Sequence, residues 1–248
     1  IREGGGRPIE TDTDGIFFVP PDGDEAVLDA FRARVRSVLP PGVELEFDSV
    51  WPAMFSYRPK NYALRSPDGE LVLTGAALRS RGLEPYLRDF IRDWVACKLD
   101  GRDAELAGLV DRYRRALMRH EWPLERLART ERLSESPETY AAKRAAGGRA
   151  RSAAAELALA SGRPYRAGDQ VSYYVTGTRK NVPIHSNARL LADARPDRRD
   201  ENIAYYIARL EDLVARLESA GEPEEADSEP APVRRSAAGG ARRQRRSQ

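Results

Sequence analysis

Two aspartates, Asp12 and Asp14, lie one residue apart between two short apolar runs in the stretch IETDTDGIFFV. Gly15 follows them and suits a turn, so we expect a β-hairpin with both carboxylates at its tip. Like charges this close repel each other unless a cation neutralises them, and carboxylate oxygens are ligands that Mg²⁺ accepts. The pair therefore indicates a magnesium site. A hairpin turn with two solvated aspartates is the commoner explanation of such a stretch taken alone.

The composition restricts the other kinds of site that the chain could carry. A single cysteine, Cys97, excludes an intrachain disulfide, and with only His120 and His185 as further soft ligands it argues against a zinc centre. The 41 basic and 39 acidic residues leave a net charge of +2, so affinity for nucleic acid must come from local clusters. No apolar run reaches the ~20 residues of a membrane span. We therefore expect a cytoplasmic protein that makes no contact with a membrane.

The apolar pattern around the aspartates predicts an α+β fold. Short apolar or alternating runs, such as VELEFDSVWPAMFSY, indicate antiparallel strands between residues 9 and 78, with one amphipathic helix from Asp24 to Leu39. The sequence then becomes mainly helical up to about residue 220, apart from the strand-like run QVSYYVTGT. After Gly221 an acidic block precedes a basic one without large apolar residues, which predicts a disordered tail.

Two pairs of neighbouring tyrosines raise the question of whether they form a platform on which nucleic-acid bases stack. We expect instead that Tyr173 and Tyr174, like Tyr205 and Tyr206, each place one ring in the core and one outward. Cys97 lies among large apolar residues of a helix, so we expect it to be buried and to serve as a small apolar side chain.

Several motifs, in the same order and at similar spacing, resemble the last part of family B DNA polymerases. TDTDGIFF is similar to the third polymerase motif, usually Tyr-Gly-Asp-Thr-Asp-Ser, and YRPKNYAL resembles the Lys-x-Tyr element. EWPLERLARTERLSESPETY, GDQVSYYVTG and DENIAYYIARLEDLVARL are similar to stretches of the thumb. The resemblance runs from about Pro8 to Ala220. It implies the end of a palm at residues 1–82, a thumb at 83–220 and a disordered charged tail at 221–248.

The resemblance also implies roles for individual side chains. Asp14 would be the principal metal ligand and Asp12 would support it, in a two-Mg²⁺ transfer of a nucleotide from a dNTP to a primer 3′ hydroxyl. Lys60 and Tyr62 would contact primer–template DNA near the growing end. Further candidates for DNA contact lie at the palm–thumb junction and in the TGTRKNVP loop, where a solvated surface is the alternative: Arg79, Arg81, Arg179 and Lys180.

The metal motif departs from the family pattern. Glu10, Thr11 and Gly15 stand where the family usually has Tyr, Gly and Ser, and Glu10 adds a third carboxylate near the pair. A carboxylate that faced the site would raise the pKa of its neighbours. Whether Glu10 joins the site is a question that the sequence leaves open.

The two-metal site implied by the resemblance is incomplete in this sequence, which has no counterpart of the first motif's aspartate, the fingers helix or the exonuclease domain. We therefore expect the chain alone not to extend a primer, because half of the site cannot position a triphosphate. Its expected partners are primer–template DNA, a dNTP and the N-terminal polymerase and exonuclease domains of a longer protein. The alternatives are a non-catalytic DNA-binding module derived from a thumb, and a palm-like nucleotidyl cyclase. For the cyclase we find no phosphate-binding glycine loop, since GGGRP is too short.

Overall fold

The structure is a computed structural model that describes residues 1–12, 15–79, 82–148, 150–195 and 197–219. Within these residues it contains one two-stranded and two three-stranded antiparallel sheets, together with eight α-helices. This is the α+β fold that the sequence predicts. Asp14, Arg81 and the tail 221–248 lie outside the described residues.

The chain begins with a hairpin and a helix. Strands β1 (Arg7–Thr11) and β2 (Ile16–Val19) pair in antiparallel fashion, with Thr11 opposite Ile16. Helix α1 (Glu25–Ser37) starts where predicted, because the side chain of Asp24 accepts a hydrogen bond from the backbone N–H of Val27 at 3.1 Å. The helix packs on the hairpin through its Phe31 ring, whose centroid lies 5.5 Å from that of Phe18.

The second sheet contains Tyr62, and Lys60 lies in the turn between its first two strands. Its strands are β3 (Ala53–Arg58), β4 (Asn61–Arg65) and β5 (Leu71–Thr74), in the order β3-β4-β5, and the short helix α2 (Ala76–Arg79) follows. The alternating run VELEF was expected to be a strand, but residues 43–52 pair with no strand among the described residues. Alternation alone was misleading here, because a strand also needs a neighbour to receive its hydrogen bonds.

The remaining part is mainly helical and has one sheet of its own. The helices are α3 (Pro85–Leu99), α4 (Leu106–Met118), α5 (Leu124–Leu127), α6 (Pro137–Ala145), α7 (Ala153–Ser161) and α8 (Ile203–Glu218). The sheet has the order β6-β7-β8, from Arg129–Arg132, Gln170–Val175 and Ala188–Leu190. None of the helices in the described ranges is both long enough and apolar enough to cross a membrane.

The largest apolar core joins the second sheet to helices α3, α4 and α8. Trp94 of α3 and Leu210 of α8 are almost completely buried in it, and Tyr57 and Ala63 of the sheet belong to the same cluster. Two long-range hydrogen bonds reinforce this packing. The Tyr57 hydroxyl donates to the carbonyl of Arg216 at 3.0 Å, and the Tyr86 hydroxyl donates to the carbonyl of Tyr206 at 2.8 Å. Helix α8 is thereby fixed against the sheet and against α3.

The expectation for the tyrosine pairs was wrong, whereas that for Cys97 is confirmed. Tyr173, Tyr174, Tyr205 and Tyr206 are all buried, so neither pair directs a ring outward. Tyr173 and Tyr174 belong to β7, the central strand of its sheet, which is covered on both faces. Cys97 is a buried free thiol.

Candidate nucleic-acid interface and metal site

The β1–β2 hairpin places Asp12 at its tip. Asp12 directly follows β1, and its backbone N–H donates to the carbonyl of Gly15 at 2.8 Å, just before β2 begins. Phe17 of β2 turns toward the second sheet, where its ring centroid lies 5.0 Å from that of Tyr62. The first hairpin and the β3–β4 hairpin are therefore packed side by side, with Asp12 and Tyr62 near the line where they meet.

Lys60 lies in the turn between β3 and β4 and reaches across to this tip. Its ammonium group is 3.3 Å from Oδ1 of Asp12, and about two thirds (66%) of its side chain is exposed. Its backbone has φ of 64°, a left-handed conformation that few residues other than glycine adopt. The structure thus brings Asp12, Lys60 and Tyr62 together, although Lys60 is 48 residues from Asp12 in the sequence.

Glu10 holds the Lys60 turn in this unusual conformation. One carboxylate oxygen accepts the backbone N–H of Lys60 at 3.0 Å, and the other accepts the hydroxyl of Ser56 at 2.6 Å. Only 8% of Glu10 is exposed. Both oxygens therefore face the β3–β4 hairpin, which answers the question raised by the sequence. Within the described residues, Glu10 acts as a clamp between the two hairpins.

Helix α2 is attached to the same turn through Asn61. The side chain of Asn61 accepts the backbone N–H of Ala77 at 2.8 Å and donates to the carbonyl of Pro59 at 3.0 Å. The approach is so close that a Cβ on Gly75, where φ is 89°, would lie 2.2 Å from the Lys60 carbonyl oxygen. Arg79, at the end of α2, is exposed and forms no ion pair within the described ranges.

Arg179 and Lys180 form a separate basic position in the loop after β7. Both are exposed, and neither has an acidic partner in the part of the chain that the structure describes. The side chain of Asn202, which is completely buried, holds the backbone of this loop. The amide nitrogen of Asn202 donates to the carbonyls of Thr176 at 3.3 Å and Arg179 at 2.9 Å. Its oxygen caps α8 by accepting the N–H of Tyr205 at 3.0 Å.

The predicted metal site includes Asp14, which lies outside the described residues. These contain no group of three or more His, Cys, Asp or Glu side chains that could hold a metal ion. Both oxygens of Glu10 accept hydrogen bonds, which leaves Asp12 as the tip carboxylate among the residues that the structure describes. A single carboxylate suits Mg²⁺ as one ligand of a shared site, because this ion binds through one or two carboxylates together with substrate phosphates.

The groups with shifted pKa values lie away from the hairpin tip, and several of them are buried. Burial raises the pKa of Tyr174 to about 12, and its hydroxyl donates to Asp200 at 2.7 Å. Burial also raises the pKa of Tyr206, whose hydroxyl accepts the backbone N–H of Val175 at 2.8 Å. Glu201 behaves differently. Burial raises its pKa, but hydrogen bonds from Arg199, at 2.9 Å, and from His120, at 2.6 Å, outweigh burial and lower the pKa below its usual value. These groups serve as structural ties.

Comparison with known proteins bears on the fold. No protein-family model matches the sequence, and no curated protein matches it. Among solved structures, the chain is similar to the family B DNA polymerase from the hyperthermophilic archaeon Pyrobaculum calidifontis, with a TM-score of 0.60 and 18% sequence identity. The chain has the fold of part of that polymerase. The match covers 90% of this chain and 27% of the polymerase, so the chain spans about a quarter of the polymerase's length.

Several residues that build the site were missed in the sequence. Glu10 was noticed only as an additional carboxylate, and its partners are 46 and 50 residues away, where no local pattern could indicate them. Asn61 was overlooked between Lys60 and Tyr62. Asn202 did leave a signal, because an asparagine directly before a periodic apolar run is typical of a helix N-cap.

Proposed function

We propose that this chain is the end of the palm and the thumb of a DNA polymerase, and that it binds primer–template duplex DNA through the Lys60 turn. The observation that carries the proposal is the meeting of Asp12, Lys60 and Tyr62 between two packed hairpins, within a fold that resembles part of a family B polymerase. The proposed boundaries are 1–82 for the palm part, 83–220 for the thumb and 221–248 for a charged tail.

The chemistry of the turn suits a contact with the DNA backbone. The Lys60 ammonium is largely exposed beside Asp12 and its backbone is held by Glu10, so it can exchange the Asp12 carboxylate for a DNA phosphate. The Tyr62 hydroxyl has no hydrogen-bond partner in the described ranges, which leaves it able to bond to sugar or phosphate oxygens. Contacts of this kind position a duplex without reading its sequence. Arg79, Arg81, Arg179 and Lys180 would add further phosphate contacts.

For catalysis we propose that Asp12 and Asp14 hold Mg²⁺ within a complete polymerase. The ion would supply charge neutralisation for nucleotide transfer from a dNTP to the primer 3′ hydroxyl. Before the ion and DNA bind, Lys60 neutralises Asp12 and so removes the repulsion expected between neighbouring carboxylates. Glu10 keeps Lys60 at that distance and takes no part in ligation, since both of its oxygens are hydrogen-bonded.

Duplex binding measured against salt concentration tests the proposal. We expect the chain to bind a labelled primer–template in fluorescence anisotropy, with an affinity that falls steeply as salt rises. Lys60→Ala should weaken binding about equally for unrelated sequences and reduce the magnitude of the salt slope by about one, as expected for loss of one phosphate contact.

Lys143→Ala is the matched control for Lys60→Ala. Its side chain is 56% exposed, but it lies on α6, which packs against α7 and, in the described ranges, not against either hairpin, so this variant should bind DNA as the wild type does. A Lys60→Ala loss that depends on the DNA sequence would contradict a backbone contact. Absence of duplex binding by the wild type at low salt would refute the proposed function.

A further inference from the structure

The Lys60 ammonium is paired with the same carboxylate that we assign to Mg²⁺. Its Nζ lies 3.3 Å from Oδ1 of Asp12, the candidate metal ligand at the hairpin tip. The Asp12 side chain is 35% exposed and that of Lys60 is 66% exposed, so ions from the solvent can reach both. One ion pair therefore joins the candidate metal ligand to the candidate DNA contact.

The ion pair can open without a change in the backbone of either hairpin. The Lys60 backbone N–H donates to Glu10 at 3.0 Å, and the Asp12 backbone N–H donates to the Gly15 carbonyl at 2.8 Å. Neither bond involves the Lys60 ammonium or the Asp12 carboxylate. Rotation of the two side chains is therefore sufficient to separate the charges, while their backbones remain side by side.

An ion pair with this exposure is weak enough to be exchanged. Pairs between solvent-exposed side chains change an equilibrium by a factor of at most about five. A DNA phosphate that binds Lys60 must compete with Asp12, and it leaves the carboxylate without its cation next to a polyanion. As long as no other cation binds Asp12, this carboxylate lowers the affinity of the chain for DNA.

We propose that Asp12 and Lys60 form a charge switch, through which Mg²⁺ and DNA favour each other's binding. When Asp12 binds Mg²⁺, its carboxylate no longer neutralises Lys60, and the ammonium can pair with a phosphate instead. Linkage makes the effect reciprocal: a phosphate on Lys60 raises the affinity of Asp12 for the ion by the same factor. The inference rests on the proposed function and goes beyond it, because it makes the DNA contact depend on the metal ligand.

Duplex affinity with and without Mg²⁺ tests the charge switch. We would measure binding of the full chain to a labelled primer–template by fluorescence anisotropy, in EDTA and in millimolar Mg²⁺ at equal ionic strength. In EDTA, Asp12→Asn should bind about two- to fivefold more tightly than the wild type, because the Asp12 carboxylate no longer competes for Lys60. In Mg²⁺ this difference should disappear. Competition of Mg²⁺ for DNA phosphates affects both proteins alike.

A double-variant cycle separates the exchange of Lys60 from simple repulsion of DNA by a carboxylate. Repulsion alone would give Asp12→Asn the same gain in affinity with or without Lys60, since independent effects add. The charge switch predicts that the gain in EDTA is smaller by about two- to fivefold in the Lys60→Ala background. Asp197→Asn is the control. Asp197 is exposed and has no ion pair in the described part of the chain, so any effect of this variant should be equal in EDTA and in Mg²⁺.

The outcomes distinguish the charge switch from the proposed function. An equal gain from Asp12→Asn in both backgrounds would overturn the switch, and so would a gain that Mg²⁺ leaves unchanged. Either result would leave the proposed function intact, provided that Lys60→Ala still weakens duplex binding. Absence of duplex binding by the wild type at low salt would overturn both. Thermal unfolding of each variant establishes that it is folded at the assay temperature.

Discussion

Replacement of Glu10 by alanine should lower the free energy of unfolding, because Glu10 links the β1–β2 hairpin to the β3–β4 hairpin. The change removes the acceptors of two hydrogen bonds, from the Lys60 backbone N–H and the Ser56 hydroxyl, at a position that is only 8% exposed. A buried polar group that loses its partner costs about 1–3 kcal/mol. Two such groups, with some access for water beside the exposed Lys60 side chain, lead us to expect a loss of about 2–4 kcal/mol.

Urea unfolding followed by tryptophan fluorescence measures this loss, and two variants calibrate it. Glu10→Gln retains one acceptor oxygen and should lose about half as much stability, or about 1–2 kcal/mol. Glu44→Ala changes an exposed glutamate without a partner in the described ranges, so its effect should stay within about 0.5 kcal/mol.

Glu10→Ala should also change DNA binding. If Glu10 acts by holding Lys60, then Glu10→Ala should reduce duplex affinity, and adding Glu10→Ala to Lys60→Ala should reduce affinity no further. The reasoning is refuted if Glu10→Ala unfolds within about 0.5 kcal/mol of the wild type. It is also refuted if the effects of Glu10→Ala and Lys60→Ala on DNA affinity are additive, since independent sites add.

Two other changes test the contacts described above. Gly75→Ala should lower the free energy of unfolding by more than about 3 kcal/mol, because its Cβ would lie 2.2 Å from the Lys60 carbonyl oxygen. Gly69 has nearly the same φ but open space around it, so Gly69→Ala should lower the free energy of unfolding in urea by only about 1 kcal/mol. Glu201 has a lowered pKa in the folded protein, so the stability it supplies is present above its usual value of 4.5 and is lost as the pH falls through the folded-state pKa. Glu201→Gln should therefore lose less stability than the wild type between pH 7 and pH 3, and an unchanged pH profile of the unfolding free energy would contradict this.

Local sequence patterns predicted the helices and strands well, but they predicted poorly which elements pack against or pair with each other. Asp24 marked the start of α1, because a helix cap depends on residues three positions apart. The burial of both Tyr173 and Tyr174 could not be read in the same way, since it depends on what covers the second face of β7. The run VELEF had the period of a strand but lacked a neighbour with which to pair.

At the candidate site, too, the sequence predicted individual residues but not the contacts between them. Asp12 and Lys60 could each be selected by residue type and by resemblance, and the hairpin around Asp12 followed from its turn residues. That Lys60 neutralises Asp12, and that Glu10 supports Lys60, depends on how two hairpins pack. The geometry between segments about 50 residues apart comes from tertiary packing, which no periodicity within either segment encodes.

The position of α8 in the sequence has a consequence for how the chain is made. Its hydrogen bonds with Tyr57 and Tyr86 close loops of 159 and 120 residues, so the helix that completes the core is also the last described element to leave the ribosome. Until then the side of α4 that packs against α8, and Tyr86 of α3, whose ring centroid lies 5.8 Å from that of Tyr206, lack this cover. A product that ends before Ile203 will expose this surface and will be prone to aggregate, because slow, long-range closure lengthens the time for which apolar surface is open. The chain must be synthesised through Asn202 before the loop that carries Arg179 and Lys180 acquires its support.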